Sequence, residues 1–125
     1  MKTHRFKLIM LALASLLITT ALIEYQTHFI ERLVDDKLYD NVLHHLPCEK
    51  LFTAEEVKSV LEKHKDTIRQ IEQVDLNVEV VLDELSCPGK ADLIIWYPSH
   101  KNRIKIEQII NNKTFFGIPY NLINT

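Results

Sequence analysis

The chain has 125 residues, with 15 basic and 17 acidic side chains, two glycines and two cysteines. This length allows one domain, and two glycines are too few for a phosphate-cradling loop or a dinucleotide fingerprint. After residue 23 there are 12 basic and 17 acidic residues, which gives 12 − 17 = −5. This charge argues against nucleic acid as a partner, because phosphates require a basic surface.

An uncharged apolar stretch occupies residues 8–23, and the preceding residues 1–7 carry Lys2, Arg5 and Lys7. As a helix it extends about 24 Å, between the length of a signal-peptide core and that of a membrane span. It predicts an uncleaved transmembrane anchor or a signal peptide cleaved near Ala21, and a buried core helix is the third alternative. The positive flank predicts a cytoplasmic N-terminus and an extracytoplasmic C-terminal part.

Residues 24–46 predict an amphipathic helix that continues from the apolar stretch until Pro47 ends it. Its apolar side chains recur at steps of three and four: Ile30, Leu33, Val34, Leu38, Val42 and Leu46. Packing of this face on the domain is the simpler expectation. Homodimerisation through it is the alternative, although the repeat departs from a coiled-coil heptad.

A second helix is predicted to begin at Thr53, because Thr53 and Glu56 form the pattern of a capping box. An apolar stripe then runs along it through Val57, Val60, Leu61, Ile68, Ile71 and Val74, and His64 shares this stripe. A histidine in such a place is typical of a partly buried core residue.

Alternation with period two predicts a strand over residues 76–83, in which Leu76, Val78, Val80 and Leu82 face the core. The Pro88–Gly89 pair predicts a type II turn. The apolar run 91–97 predicts a central strand that pairs with the first strand as a hairpin, with Asp92 near its end.

Residues 99–112 fit either a helix capped by Ser99 or a strand, and the helix is favoured. Residues 113–122 predict a final edge strand with a bulge at Gly117. Residues 47–125 are therefore expected to form a small extracytoplasmic α+β domain of order α-β-β-α-β, with a mainly antiparallel sheet.

Cys48 and Cys87 both follow the apolar stretch and predict a disulfide in an oxidising compartment. Metal binding by His44, His45 and Cys48 is disfavoured, since adjacent residues on a helix project about 100° apart. Neither a metal site nor a cofactor is expected.

A small hydrolase would have to use Ser99, His100, Asp92 or His64, but no nucleophile elbow accompanies them. The basic residues near position 100 are explained either by an anion-binding patch or by a solvated helix face. The predicted interaction surface contains Trp96, Tyr97, Lys101, Arg103 and Lys105. The aromatic side chains of this set contribute to it only if one face of the sheet is open.

The expected function is that of a membrane-anchored module, held in the bilayer by residues 8–23, which binds another protein or scaffolds a membrane complex without catalysis. A domain that senses a small ligand or ion, with an apolar cavity between sheet and helices, is the first alternative. A small hydrolase or metal-dependent enzyme is the second.

Overall fold

The computed structural model describes residues 2–125. The chain divides into two compact units, one ending at Val34 and the other spanning Asp35–Thr125. The boundary precedes the one expected from the sequence, so residues 35–46 belong to the folded domain.

The first unit consists of helix α1, Lys2–Thr27, and the short helix α2, Phe29–Val34. Within the segment Thr3–Thr27 of α1, an 18-residue window has a mean hydropathy of 2.2, and none of that window is buried in the protein itself. This helix is long and apolar enough to be a single-pass anchor or a signal sequence.

The prediction of one continuous helix to Leu46 is wrong. His28 interrupts it in the left-handed conformation, with φ of 49°, a region that histidine adopts more readily than most residues. A π-helical turn at Asp35–Tyr39 is the last helical segment before residue 46. Residues 40–46 give up helical hydrogen bonds for contacts with the sheet, a tertiary effect that the local sequence pattern does not contain.

The second unit is an α+β fold in which three helices accompany a four-stranded sheet. Its elements are β1 (Phe52–Thr53), α3 (Ala54–Lys63), α4 (Lys65–Glu72), β2 (Glu79–Asp83), β3 (Lys90–Tyr97), α5 (His100–Ile110) and β4 (Tyr120–Asn124). A 3₁₀ turn at Cys48–Lys50 precedes β1. The central strand β3 pairs antiparallel with β1 and β2 and parallel with β4.

The core lies between one face of the sheet and the helices. Alternate residues of β3 are completely buried there, namely Ala91, Leu93, Ile95 and Tyr97. Val57 of α3, Ile71 of α4 and Ile106 of α5 close the core from the helical side. The mixed α+β class and the central position of β3 are thus confirmed.

Several local predictions are also confirmed. Thr53 and Glu56 form a capping box, Ser99 caps α5, and residues 100–110 are helical. Gly89 has φ of +76°, and Lys90 N donates to Cys87 O at 2.9 Å, which closes the turn between β2 and β3.

Three details differ from the prediction. Leu76 precedes β2 and is fully exposed, and the second helix is divided at His64. The last strand begins only at Tyr120, because Phe115 and Ile118 bond to each other across a tight turn. Phe116 and Gly117 both have positive φ, as a type I′ turn requires, so Gly117 belongs to a turn rather than a bulge.

Candidate functional site

The outer side of β4 is covered by residues 35–46, which we call the strap. Val42 and Leu122 exchange two backbone hydrogen bonds of 2.8 and 2.9 Å. Asn124 N donates to Asn41 Oδ1 at 2.8 Å, and His44 N donates to Asn121 Oδ1 at 3.0 Å. The strap therefore satisfies the backbone groups that an edge strand would otherwise leave free.

One polar cluster fixes the end of the strap on the face of the sheet opposite the helical core. His44 Nε2 bonds to Asp92 Oδ2, and Asn121 Nδ2 donates to the same oxygen at 3.2 Å. The side chains of His44 and Asp92 are 16% and 8% exposed. Because His44 Nδ1 accepts the backbone N–H of Leu46 at 2.9 Å, Nε2 carries the proton that Asp92 accepts.

A histidine bonded to an aspartate is also found in hydrolytic triads, where the second ring nitrogen receives the proton of a nucleophile. In His44 this second nitrogen already accepts a hydrogen bond from the chain itself. Proton abstraction by His44 would require that bond to break. The pair is thus arranged to hold the strap in place.

A second polar cluster surrounds Arg103 on α5. Its guanidinium bonds to Asp36 at 2.5 Å, to Asp40 at 2.8 Å and to Glu107 at 3.2 Å. Asp40 also accepts a hydrogen bond from His100 Nδ1 at 2.6 Å. The cluster joins the strap to α5, and its carboxylates compensate the buried cation.

The electrostatic consequences follow from these contacts. The hydrogen bond from Arg103 lowers the pKa of Asp36 below its ordinary value. Burial raises the pKa of the Tyr97 hydroxyl, and the nearby carboxylate of Asp40 adds to this effect. Burial likewise raises the pKa of Tyr120, whose hydroxyl donates to the Asn112 carbonyl at 3.1 Å.

At the opposite side of the sheet, β2 is an edge strand, and within residues 2–125 no strand pairs with its outer side. In β3, Leu93 N donates to Pro119 O and Tyr97 O accepts from Thr125 N, so the odd-numbered residues bond toward β4. The even-numbered residues of β3 consequently bond to β2. Their partners there are Glu79, Val81 and Asp83, which leaves the backbone groups of Val80 and Leu82 directed outward.

The outward N–H of Val80 has one weak contact, to Glu72 Oε1 at 3.5 Å. Two large apolar side chains flank the strand: Leu76 is 102% exposed and Leu85 is 94% exposed. Both stand beside turns in which an aspartate side chain accepts backbone N–H groups, Asp75 before the strand and Asp83 at its last position. We call β2 with these two leucines the open edge.

The face of the sheet opposite the helical core is partly accessible. Its residues alternate with those of the core and form two registered rows, Val81 with Ile94 and Asn121, and Glu79 with Trp96 and Ile123. Val81, Ile94, Trp96 and Ile123 are all half-buried. This face adjoins the open edge along Val81 and Glu79.

A third surface feature lies where α3 meets the Phe115–Ile118 turn. Phe116 is 54% exposed and stacks on His64, with ring centroids 3.4 Å apart. A shallow groove of about 330 Å³ runs between Phe116 and Phe52. A larger groove of about 410 Å³ lies between α4 and α5 and includes Lys105.

The structure joins Cys48 to Cys87 in a disulfide, as predicted. Of the predicted interaction surface, Tyr97 is completely buried and Arg103 is 8% exposed. These two residues cannot contact a partner in this fold, because Tyr97 faces the helical core and Arg103 is enclosed by carboxylates. Lys101 and Lys105 are exposed and Trp96 is half-buried.

The residues considered for catalysis or metal binding have separate partners. Ser99 caps α5, His100 bonds to Asp40, His64 stacks on Phe116, and Asp92 bonds to His44. Cys48 is in the disulfide, and His45 lies 3.4 Å from Asp35. Sequence reasoning missed the His44–Asp92 pair and the Arg103 cluster. The only available signal was the acidic segment at residues 35–40, which does not specify its cation.

No protein-family model matches this chain, and no characterised protein and no solved structure is significantly similar to it. Function is therefore argued from the geometry of the chain itself.

Proposed function

We propose that this protein is a membrane-anchored, extracytoplasmic module that binds another protein and does not itself catalyse a reaction. The observation that carries the proposal is the open edge, where β2 presents outward backbone groups that no strand of residues 2–125 pairs with, between two exposed leucines. Exposed sheet edges of this kind accept a strand from another chain.

The location is supported by three features of the chain. Helix α1 has the length and hydropathy of an anchor, basic residues precede its apolar part, and the Cys48–Cys87 disulfide suits an oxidising compartment. A mass measurement of the mature protein without reductant tests this part. We expect an uncleaved chain that lacks two hydrogens, and cleavage near Ala21 would replace the anchor with a secreted form.

Protein binding is tested by photo-crosslinking in native membranes. A photoreactive amino acid is placed singly at exposed positions on different sides of the domain, namely Leu76, Leu85, Lys101, Lys105 and Phe116. We expect discrete adducts with a second protein from at least one position. Irradiation that yields only the uncrosslinked chain at all five positions would contradict the proposal.

A ligand- or ion-sensing domain is the second candidate. It is favoured by the groove between α4 and α5, which Gln70, Gln73, Lys105 and Gln108 line with polar groups and Val74 and Ile109 with apolar ones. Thermal shift measurements against small-molecule and ion libraries test it, and stabilisation by a compound that loses its effect in Gln73→Ala would support it.

A further inference from the structure

We infer that the open edge binds an extended segment of the partner protein in which basic residues bracket a short apolar run. This inference rests on the proposed function and specifies its partner. The partner segment would pair with β2 as an additional strand. Recognition would come from the outward backbone groups of Val80 and Leu82, the acidic ends of β2 and the two flanking leucines.

The two outer strands of the sheet differ in how their outward backbone groups are covered. The strap occupies the outer side of β4 through Val42 and through the side chains of Asn41 and Asn121. Within the described chain β2 has no equivalent cover, and only the long 3.5 Å contact from Glu72 reaches its outward N–H. A partner carbonyl can replace this contact with a hydrogen bond of ordinary length.

The open edge has an acidic residue at each end of its strand. β2 has the sequence Glu-Val-Val-Leu-Asp, with its two acidic residues at Glu79 and Asp83. From residue 70 to residue 89 the sequence contains five acidic residues and no basic one. Lys58 of α3 neutralises Glu84 at 2.5 Å, but Glu79 and Asp83 have no ion-pair partner among residues 2–125. Opposite charges across strands stabilise pairing, so a strand with lysine or arginine at both ends is complementary.

The same charges disfavour a second copy of this chain as the occupant. An antiparallel pair of two β2 strands centred on Val81 would place Glu79 of each copy opposite Asp83 of the other. A parallel pair would align identical carboxylates. Like charges directly opposite each other are destabilising in both cases. The edge thus discriminates between its own sequence and a basic strand.

Apolar side chains of the domain lie on either side of the position that the partner strand would take. Side chains of an added strand alternate between the two faces of the sheet. On one face they would lie beside Val81 and near Trp96, and on the other beside Val80 and Leu82. Leu76 and Leu85 remain exposed in the isolated domain and would be covered by apolar residues near the ends of the partner segment.

The experiment uses the full chain in lipid nanodiscs and a short peptide with Lys-Val-Thr-Val-Lys at its centre. Binding is followed by the fluorescence of Trp96, the single tryptophan of the chain, and by hydrogen exchange of the β2 amides. We expect saturable binding with slowed exchange at Val80 and Leu82. The version with glutamate in place of lysine should bind at least about tenfold more weakly.

Two variants locate the site. Val80→Pro removes an outward N–H but no bond to β3, as prolines on edge strands do, and should weaken peptide binding about tenfold. Glu79→Lys should weaken it severalfold without altering the core, and it keeps the test valid if Val80→Pro is unstable. Glu49→Lys, an equivalent reversal at an exposed position outside the edge, should bind as the unaltered protein does.

The inference is overturned if both edge variants bind the peptide normally, if protection appears only around Phe116, or if the peptide does not bind. It is also overturned if light scattering shows a dimer that Glu79→Lys strengthens or abolishes, because the edge would then bind a second copy. Photo-crosslinks from Lys101, Lys105 or Phe116 but not from Leu76 or Leu85 would reject the open edge and still support protein binding.

Discussion

The two outer strands of the sheet differ in how their backbone groups are satisfied. β4 is covered by the strap through a backbone bridge at Val42, the side chain of Asn41, and contacts that the β4 residues Asn121 and Asn124 make with the strap. β2 has no neighbouring strand on its outer side in the described residues, and the outward N–H of Val80 has only a 3.5 Å contact to Glu72. The comparison shows that one edge has its outward backbone groups bonded within the domain, whereas the other is the edge proposed to bind a partner strand.

The energetic setting of the two edges also differs. The covered edge is enclosed by the buried Arg103 and His44 clusters, where removal of one partner leaves an unpaired group in a poorly solvated place. The open edge is bordered by exposed leucines whose replacement exposes nothing new. Mutations of the two clusters should therefore be costly for folding, whereas mutations of the two flanking leucines should be nearly neutral.

Loss of the disulfide should have the largest effect. Cys48 follows the strap and Cys87 lies in the turn after β2, so the bond connects the two sides across 39 residues. The double variant Cys48→Ser and Cys87→Ser should lose about 4 kcal/mol of unfolding free energy by the loop-closure argument. Urea denaturation measures this loss, and the unaltered protein in reductant should unfold at the same urea concentration as the variant.

Replacement of Arg103 should have the next largest effect. Arg103→Met leaves Asp36 and Asp40 without their cation and should cost about 3 kcal/mol, with faster hydrogen exchange at Val42 and Leu122. Arg103→Lys, which cannot bond to three carboxylates, should cost less. The matched control is Arg69→Met, since Arg69 is largely exposed and contacts one exposed aspartate. Equal costs for positions 103 and 69 would contradict the structural role of the cluster.

Asn121 connects the strap to Asp92 through a single side chain. Asn121→Ala removes the acceptor for His44 N and one donor to Asp92, and should cost about 1–2 kcal/mol. Hydrogen exchange should accelerate more at the His44 amide than at the amides of the sheet. Gln108→Ala on the exposed face of α5 serves as the control, and it should change the unfolding free energy by less than about 0.5 kcal/mol.

At low pH, protonation of two aspartates should lower the stability of the domain. One lies in the strap beside β4 and the other at the end of β2. The bond from Arg103 lowers the pKa of Asp36, and the hydrogen bond from Ser86 lowers the pKa of Asp83. A lowered folded-state pKa gives stability that is present above the ordinary value of 3.8 and is lost as the pH falls through the folded value. Urea midpoints should thus be level above about pH 5 and decline below about pH 4.

The variants Asp36→Asn and Asp83→Asn show how much of the acid-induced loss of stability comes from the covered edge and how much from the end of β2. Each should lower stability at neutral pH and flatten the decline below pH 4. If both variants decline as steeply as the unaltered protein, other carboxylates are responsible for the acid dependence.

The smallest effects are expected at the open edge. Leu76→Ser and Leu85→Ser should change the unfolding free energy by less than about 0.5 kcal/mol, because both leucines are already exposed in the folded domain. Leu93→Ser on the buried face is the contrasting variant and should destabilise the domain strongly. A large loss in either surface variant would show that these leucines stabilise the isolated fold.

The sequence by itself determined the features that depend on neighbouring residues. The apolar run of 8–23, the Thr53–Glu56 capping box, the Ser99 cap and the turn at Gly89 each follow from local side-chain and backbone chemistry. The central strand was also recognisable, because an almost continuous apolar run requires burial on both faces or in the middle of a sheet.

Only the tertiary structure decided where the strap lies and which surface remains free. Residues 40–46 have an apolar spacing that fits a helix, yet pairing of Val42 with Leu122 and of His44 with Asp92 outweighs that local preference. Arg103 has the sequence pattern of a surface charge because two of its three partners, Asp36 and Asp40, lie more than 60 residues away. The open edge was hidden for the same reason, since a strand's own sequence does not specify which neighbours it will have.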